Sequence, residues 1–419
     1  MSLFTNFDHY NVPTGPDGTP YQYFEALRDE AIETGTSIGW SEVYGGFWVP
    51  AAYDAVHEIM HNTQAFSNRE VTFPSYGNVE EGTERDYQLM LAGQDEPAHK
   101  KYRRLVNGPF SPKSAANMGE PLRATTQQLI DQFIESGSVD IIESFTNDVP
   151  ARLTALILGL PPEDGALYRS WTHAMSQGIH TDPEGAQQQL AGMHEYFVQL
   201  LADRREHPGD DVISGVVHAE VDGQRLTDLE VEDFFVVLLL GGIDNTTKLL
   251  GSMFWRLGWD HELRRRLVDK PELLPTAVDE FLRYYSPAYT CRLVLEPVTV
   301  AGVTMEPGQH VVLGLPIANR DPRQFEHPDV FDPERSPNRH VGLGTGIHRC
   351  LGAHLVRMEA CVAAEEFMKR IPHWELDPDR RPTWLCGQVS GMQTVSIVFP
   401  AGGGYPDSGW RAGRSVTVS

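Results

Sequence analysis

Apolar residues recur at helical spacing through most of the chain. Tyr21, Phe24, Leu27 and Ile32 predict a helix over residues 20–35. Two strand-like runs, Trp40–Tyr44 and Phe47–Val49, flank Gly45-Gly46 and predict a hairpin. A second helix is expected around Tyr53–Met60. Residues 66–95 break this rhythm. They are polar and irregular, with Phe73, Tyr76 and Tyr87 scattered through them, and read either as a lid or binding loop or as a plain surface excursion. Residues 115–205 resume helical periodicity with short breaks, one of them marked by Gly159 and Pro161-Pro162. Within that run Trp171, Met175 and Phe197 read mainly as core. A pocket-covering role stays open for them and for the segment near His180.

The longest predicted helix starts at Thr227-Asp-Leu-Glu230, a capping box, and runs to about Leu257. Its middle, Phe234–Leu240, is apolar on all sides, so the helix passes through the interior. Gly241-Gly242-Ile243-Asp244-Asn245-Thr246 follows. Each glycine costs about 1 kcal/mol against alanine in a helix, and a buried carboxylate and amide need partners. The expectation is a helix locally opened beside a ligand, with close helix packing at the glycines as the alternative. Pro275 opens a further helix that carries Glu280 and Arg283 on one face. Val298–Leu313 alternates like a hairpin about Pro307-Gly308, and Ala318–Pro333 is a proline-rich meander. Val389–Met392 reads as a turn between strands. Residues 402–419, rich in glycine and serine, are expected to be flexible.

The 419 residues suffice for one large domain or two ordinary ones, and the 41% hydrophobic content is that of a soluble globular protein. No continuous apolar run approaches the roughly 20 residues of a spanning helix, and the first residues lack a basic and apolar leader. A cytoplasmic protein without a membrane partner is expected. The net charge of −24 opposes nucleic acid and anionic membrane as partners. The four cysteines show no CxxC spacing and no zinc pattern, which favours reduced thiols over a disulfide framework.

One of those thiols stands apart. Cys350 follows Gly342, Gly344 and Gly346, and beyond it Leu351, Leu355, Met358 and Val362 recur at helical steps. The sulfur is therefore expected at the end of a glycine-built loop, near a helix N-terminus, where free N–H groups favour an anion and lower a thiol's pKa. A haem iron is one thing such a thiolate can hold. His99 and Arg103, four apart, share a helix face that suits a carboxylate. Lys100, Lys101 and Arg104 lie off that face and form either a docking patch for an acidic partner or solvated surface.

Gly344-x-Gly346-x-His348-x-Cys350-x-Gly352 resembles the haem-binding loop of cytochromes P450, with Leu343 where that family usually has Phe. The glycine-rich stretch of the long helix resembles the family's oxygen-activation site. Asp244 matches the acid, but Asn245 stands where Thr is usual. Thr246 lies about 100° further round the helix. Glu280-x-x-Arg283 with Arg335 resembles the family's structural network, and the resemblance extends over about residues 20–400.

The resemblance implies a mainly α fold with a smaller β region, a single domain over 1–401 and a tail at 402–419. Haem b would lie between the long central helix and the cysteine-loop helix, with Cys350 as the axial ligand of its iron. His99, Arg103, Gly241, Gly242, Arg292, Gly344, His348 and Gly352 would join Cys350 in cofactor binding. Asp244, Asn245 and Thr246 would serve catalysis. Phe73, Tyr76, Leu240, Asn245, Ala288 and Val389 would meet substrate, and Glu280, Arg283 and Arg335 would hold the scaffold. The implied reaction uses O2 and two electrons from an external flavodoxin or 2Fe-2S ferredoxin, since the chain has no FMN or iron–sulfur signature. Gly-Gly-Ile-Asp-Asn-Thr and His340-x-x-Leu343 are most similar to family members that hydroxylate a monoterpene ether. The expected substrate is therefore a small apolar cyclic molecule such as 1,8-cineole. The alternatives are another small terpenoid or aromatic ether, a peroxide-driven or non-oxygenating relative, or a haem-based sensor.

Overall fold

The computed structural model describes residues 2–73, 89–178 and 181–405. Gly45 and Gly46 take φ of 86° and 108°, which reverses the chain and pairs Ile38–Ser41 with Phe47–Pro50. That hairpin forms one side of a five-stranded sheet. Its remaining strands, in order, are His310–Gly314, Tyr289–Val294 and Phe66–Ser67. The alternation over 298–313 is therefore not one hairpin. Val298–Val300 pairs with Val303–Met305 across Ala301-Gly302, and Pro307-Gly308 leads into His310–Gly314, which pairs instead with Tyr289–Val294. Period-two alternation marks a half-buried strand but does not name its partner.

Most of the chain is helical. The central helix spans Asp228–Trp259, 32 residues and so about 48 Å long. Its capping box forms as expected. The Glu230 N–H donates to Thr227 Oγ1 at 3.2 Å, and the Thr227 N–H to Glu230 Oε2 at 2.7 Å. By length and composition this helix could cross a membrane, but 61% of its apolar window is buried inside the protein. It runs between two core clusters. Its N-terminal half, through Phe234, Phe235 and Ile243, packs with Trp171, Met193 and Phe197. Its C-terminal half, through Leu250, Phe254 and Leu257, packs with Phe145, Phe367 and Trp374. Trp171 and Phe197 are thus core, while His180 falls outside the described residues.

The helix stays continuous through residues 241–246, against the expected opening. The reason is steric. A Cβ on Gly242 would sit 2.5 Å from Thr154 Oγ1 on the helix Asp148–Leu158, so this glycine permits close helix approach. A Cβ on Gly241 would meet nothing within 4 Å, because that position faces open space.

The cysteine helix, Ala353–Arg370, packs against Gly119–Phe133 and Leu274–Tyr284. Leu274–Tyr284 presents Glu280 and Arg283, both fully buried. Arg283 Nε and Nη2 each reach a different oxygen of Glu280 at 2.7 Å. Arg335 Nε adds a bond at 3.1 Å, the Asp332 N–H one at 2.9 Å and Asn338 Nδ2 one at 3.1 Å. Arg283 Nη1 then donates to the carbonyls of Asn319 and Pro328, and Arg335 Nη1 to that of Glu326. This network fastens the meander that leads into the cysteine loop.

Candidate functional site

The cysteine loop is a tight coil that only glycine allows at key points. Gly344 and Gly346 have φ of 65° and 70°. A Cβ on Gly342 would lie 2.3 Å from the Leu282 carbonyl oxygen, and one on Gly346 would lie 2.7 Å from that of Met60. The Cys350 N–H donates to Leu343 O at 2.8 Å, and Gly352 directly precedes the cysteine helix. The Cys350 thiol opens onto a cavity of about 340 Å³. Burial pushes its pKa up. The Gly352 N–H and the charges of Arg103, Arg357 and Arg349 oppose this without overcoming it. The helix-end effect expected from sequence is present but outweighed by burial.

One end of the same cavity gathers basic side chains. Arg103 and Arg292 line it together with His348, and the His99 ring lies 4.2 Å from that of His348. Burial, then the charges of His99, Arg292 and Arg103, lower the His348 pKa to about 3. Burial lowers Arg292 to about 10 against the weak opposition of Cys291 and Asp95. His99 is lowered too, by burial and by Arg103. Both ring nitrogens of His99 are buried without a hydrogen bond. Glu96 Oε1 lies 3.7 Å from His99 Nδ1, but among the described residues Arg103 and Arg292 have no carboxylate within ion-pair distance, so the cluster fits the two carboxylates of a haem and would be relieved by them.

The central helix forms another wall. Gly241, Gly242, Asn245 and Thr246 line the cavity, as does Ala288 from the segment before the strand Tyr289–Val294. Among the described residues, no protein group holds the Asn245 side-chain amide by a hydrogen bond. Asp244 faces the other way, into a second cavity of about 360 Å³ that it shares with Lys248, Ser176, Tyr10 and Val389. Burial raises the Asp244 pKa. The charge of Lys248 and hydrogen bonds from Ser176 and Thr172 oppose the rise. Lys248 is itself lowered by burial, and its Nζ donates to Met392 O at 3.3 Å.

The expected substrate contacts divide. Asn245 and Ala288 line the main cavity. Leu240, partly buried against the core cluster of Trp171 and Phe197, does not line the cavity, while Val237 and Leu238 do. Val389 lines the second cavity and touches the first only through its β-bridge to Ala288. Phe73 stacks on His310, with ring centroids 4.1 Å apart, away from the main cavity. Tyr76 lies outside the described residues, as do 406–419 of the tail. The sequence reading missed Leu153, Thr154, Ile157 and Leu158, which form one cavity wall from a single helix face. Their i, i+1, i+4, i+5 spacing was the available signal. It also missed Glu359, whose carboxyl burial pushes well above the ordinary range.

A thiol presented to a cavity by a glycine coil, an apolar wall and a basic cluster with few counter-anions fit the site of a haem-thiolate protein. Known proteins bear this out. The sequence model of the family Cytochrome P450 matches residues 169–394. The polyketide biosynthesis cytochrome P450 PksS of Bacillus subtilis (strain 168) is 36% identical over 71% of this chain and 74% of its own. The mycinamicin IV hydroxylase/epoxidase of Micromonospora griseorubida is 33% identical over 71% of this chain and 77% of its own. The solved structure of Bacillus subtilis 168 PksS superposes with a TM-score of 0.82 at 29% identity, covering 94% of this chain and 99% of that one. The chain belongs to the cytochrome P450 family. It is a haem-thiolate monooxygenase that carries haem b and uses O2 with electrons from an external redox partner.

Proposed function

We propose that this enzyme, a single domain over 1–401 working in the cytoplasm, hydroxylates a small cyclic monoterpenoid ether such as 1,8-cineole. The observation that carries this reading is the Asn245 amide, unbonded to protein, in an otherwise largely apolar wall. An ether of this class has one acceptor oxygen and apolar surface elsewhere. Asn245 N–H donates to that oxygen and sets which carbon is presented, while Ala288, Val237 and Leu238 enclose the hydrocarbon. The resemblance of Gly241–Thr246 to family members acting on such an ether supports the same class.

Bound haem supplies the oxygen activation and C–H oxidation. Cys350 would hold its iron through the thiolate, and Arg103, Arg292, His99 and His348 would receive its carboxylates. Burial shifts Asp244 toward its protonated form, on the helix side that faces the second cavity.

A spectral titration of the ferric enzyme tests the substrate class. 1,8-Cineole and related cyclic ethers displace water from the iron at lower concentration than a macrolide does. The reverse order would move the substrate toward the class named for the mycinamicin relative. Asn245→Ala keeps turnover but shifts the ratio of hydroxylated regioisomers about 2- to 13-fold, the value of one neutral hydrogen bond of about 0.5–1.5 kcal/mol. An unchanged ratio would remove the orienting role.

The electron donor in this reading is an acidic flavodoxin or 2Fe-2S ferredoxin. Lys100 and Arg104 are exposed for it, while Lys101 is already paired with Asp222. Reversing Lys100 and Arg104 to Glu slows donor-driven reduction at least about tenfold at low salt. Reduction by dithionite stays unchanged. Equal donor-driven rates would place docking elsewhere.

A further inference from the structure

The helix Tyr53–His61 ends in His57-Glu58-Ile59-Met60-His61. Ile59 and Met60 point inward, 1% and 3% exposed, and so turn both histidines to solvent. Their rings stack with centroids 4.1 Å apart and 29° between planes. His61 Nδ1 lies 2.8 Å from the His57 carbonyl oxygen. A ring N–H there donates to that carbonyl, which leaves the lone pair on Nε2. That nitrogen is 3.3 Å from Thr345 Oγ1 in the cysteine loop. A backbone carbonyl that fixes the far N–H is how metal-bound imidazoles are oriented.

We propose that His57 and His61 form a binding site for a borderline divalent transition-metal ion, Zn2+, Ni2+ or Cu2+, at the outer edge of the cysteine loop. Imidazole suits these ions and not Mg2+. The His-Glu-x-x-His spacing is that of zinc hydrolases. Here, among the described residues, no third His, Cys, Asp or Glu completes a set. Water and the Thr345 hydroxyl take the remaining positions, so the site binds metal without hydrolytic chemistry. A count of cysteines overlooks it. The same helix end supports the haem loop, because Met60 O is the atom that a side chain on Gly346 would strike. A bound ion therefore ties that helix end to Thr345.

The test is calorimetric titration of the ferric, haem-loaded enzyme with ZnCl2 and with MgCl2. Wild type shows one saturable Zn2+ event and none with Mg2+. His57→Asn and His61→Asn each weaken it at least about tenfold, no less than loss of an outer partner costs a metal site. Thr345→Val weakens it by a smaller factor. The reduced, carbon-monoxide-treated spectrum is the same in all four proteins, which shows the fold and the haem site intact. Zn2+ binding that is equally tight in His61→Asn, or no saturable event in wild type, overturns the proposal. Unchanged affinity in Thr345→Val removes the hydroxyl from the site.

Discussion

Cys350→Ala yields a folded protein that turns over no substrate and whose reduced, carbon-monoxide-treated form lacks the red-shifted Soret band of thiolate-ligated haem. The loss is complete rather than partial, because the thiolate pushes electron density toward O–O cleavage and no other described cysteine lines the cavity. The loop itself survives the change. Its closing bond, from residue 350 N–H to Leu343 O, belongs to the main chain, and the φ values of Gly344 and Gly346 do not depend on the sulfur. Far-ultraviolet circular dichroism matching wild type alongside the altered spectrum establishes that ligation, and not folding, was lost. A retained red-shifted band would mean that another sulfur holds the iron.

Glu280→Gln has the opposite character: it attacks the fold. The carboxylate accepts from Arg283, Arg335, Asn338 and the Asp332 main chain at 2.7 to 3.2 Å. The substitution leaves two guanidinium groups without their counter-charge in a site where the pair is entirely shielded from solvent. Breaking a buried pair from one side costs about 3–5 kcal/mol, a large fraction of the roughly 5–15 kcal/mol that stabilises a whole domain. Urea unfolding of the purified variant is expected to show this loss, with lowered haem content on expression. Arg283→Lys does not substitute, since one ammonium cannot reach Glu280 in two bonds and also serve the Asn319 and Pro328 carbonyls. A midpoint within error of wild type would show that the network orders the meander without stabilising it.

Features written in local chemistry were the legible ones. The capping box at Thr227 and Glu230 formed because both partners lie within one turn. The cysteine loop was readable because three nearby glycines coincide with two left-handed residues and two forbidden Cβ positions. Facing was harder. Phe234–Leu240 is apolar all round, so nothing in it distinguishes Leu238, which lines the cavity, from Leu240, which does not. Asp244 and Asn245 are neighbours in sequence but look into different cavities, since one helical step turns about 100°. The helix opening expected at Gly241-Gly242 did not occur. The cost of two glycines has more than one cause, and the identity of Thr154 as the neighbour is a long-range fact. Phe73 illustrates the same limit, because an aromatic residue in an irregular stretch cannot announce that His310 is its stacking partner.

Arg103 already spends its guanidinium on the carbonyls of Ile347 and Arg349, at 3.3 and 2.6 Å. It is thus a strap across the coil that must also greet an incoming carboxylate. Both bonds are already charge-assisted on the donor side, but a carboxylate would add the counter-charge that a carbonyl lacks, and a guanidinium has five N–H donors to divide between them. One side chain therefore couples the shape of the coil to the acid groups of its cofactor, so that a change at residue 103 would disturb both together.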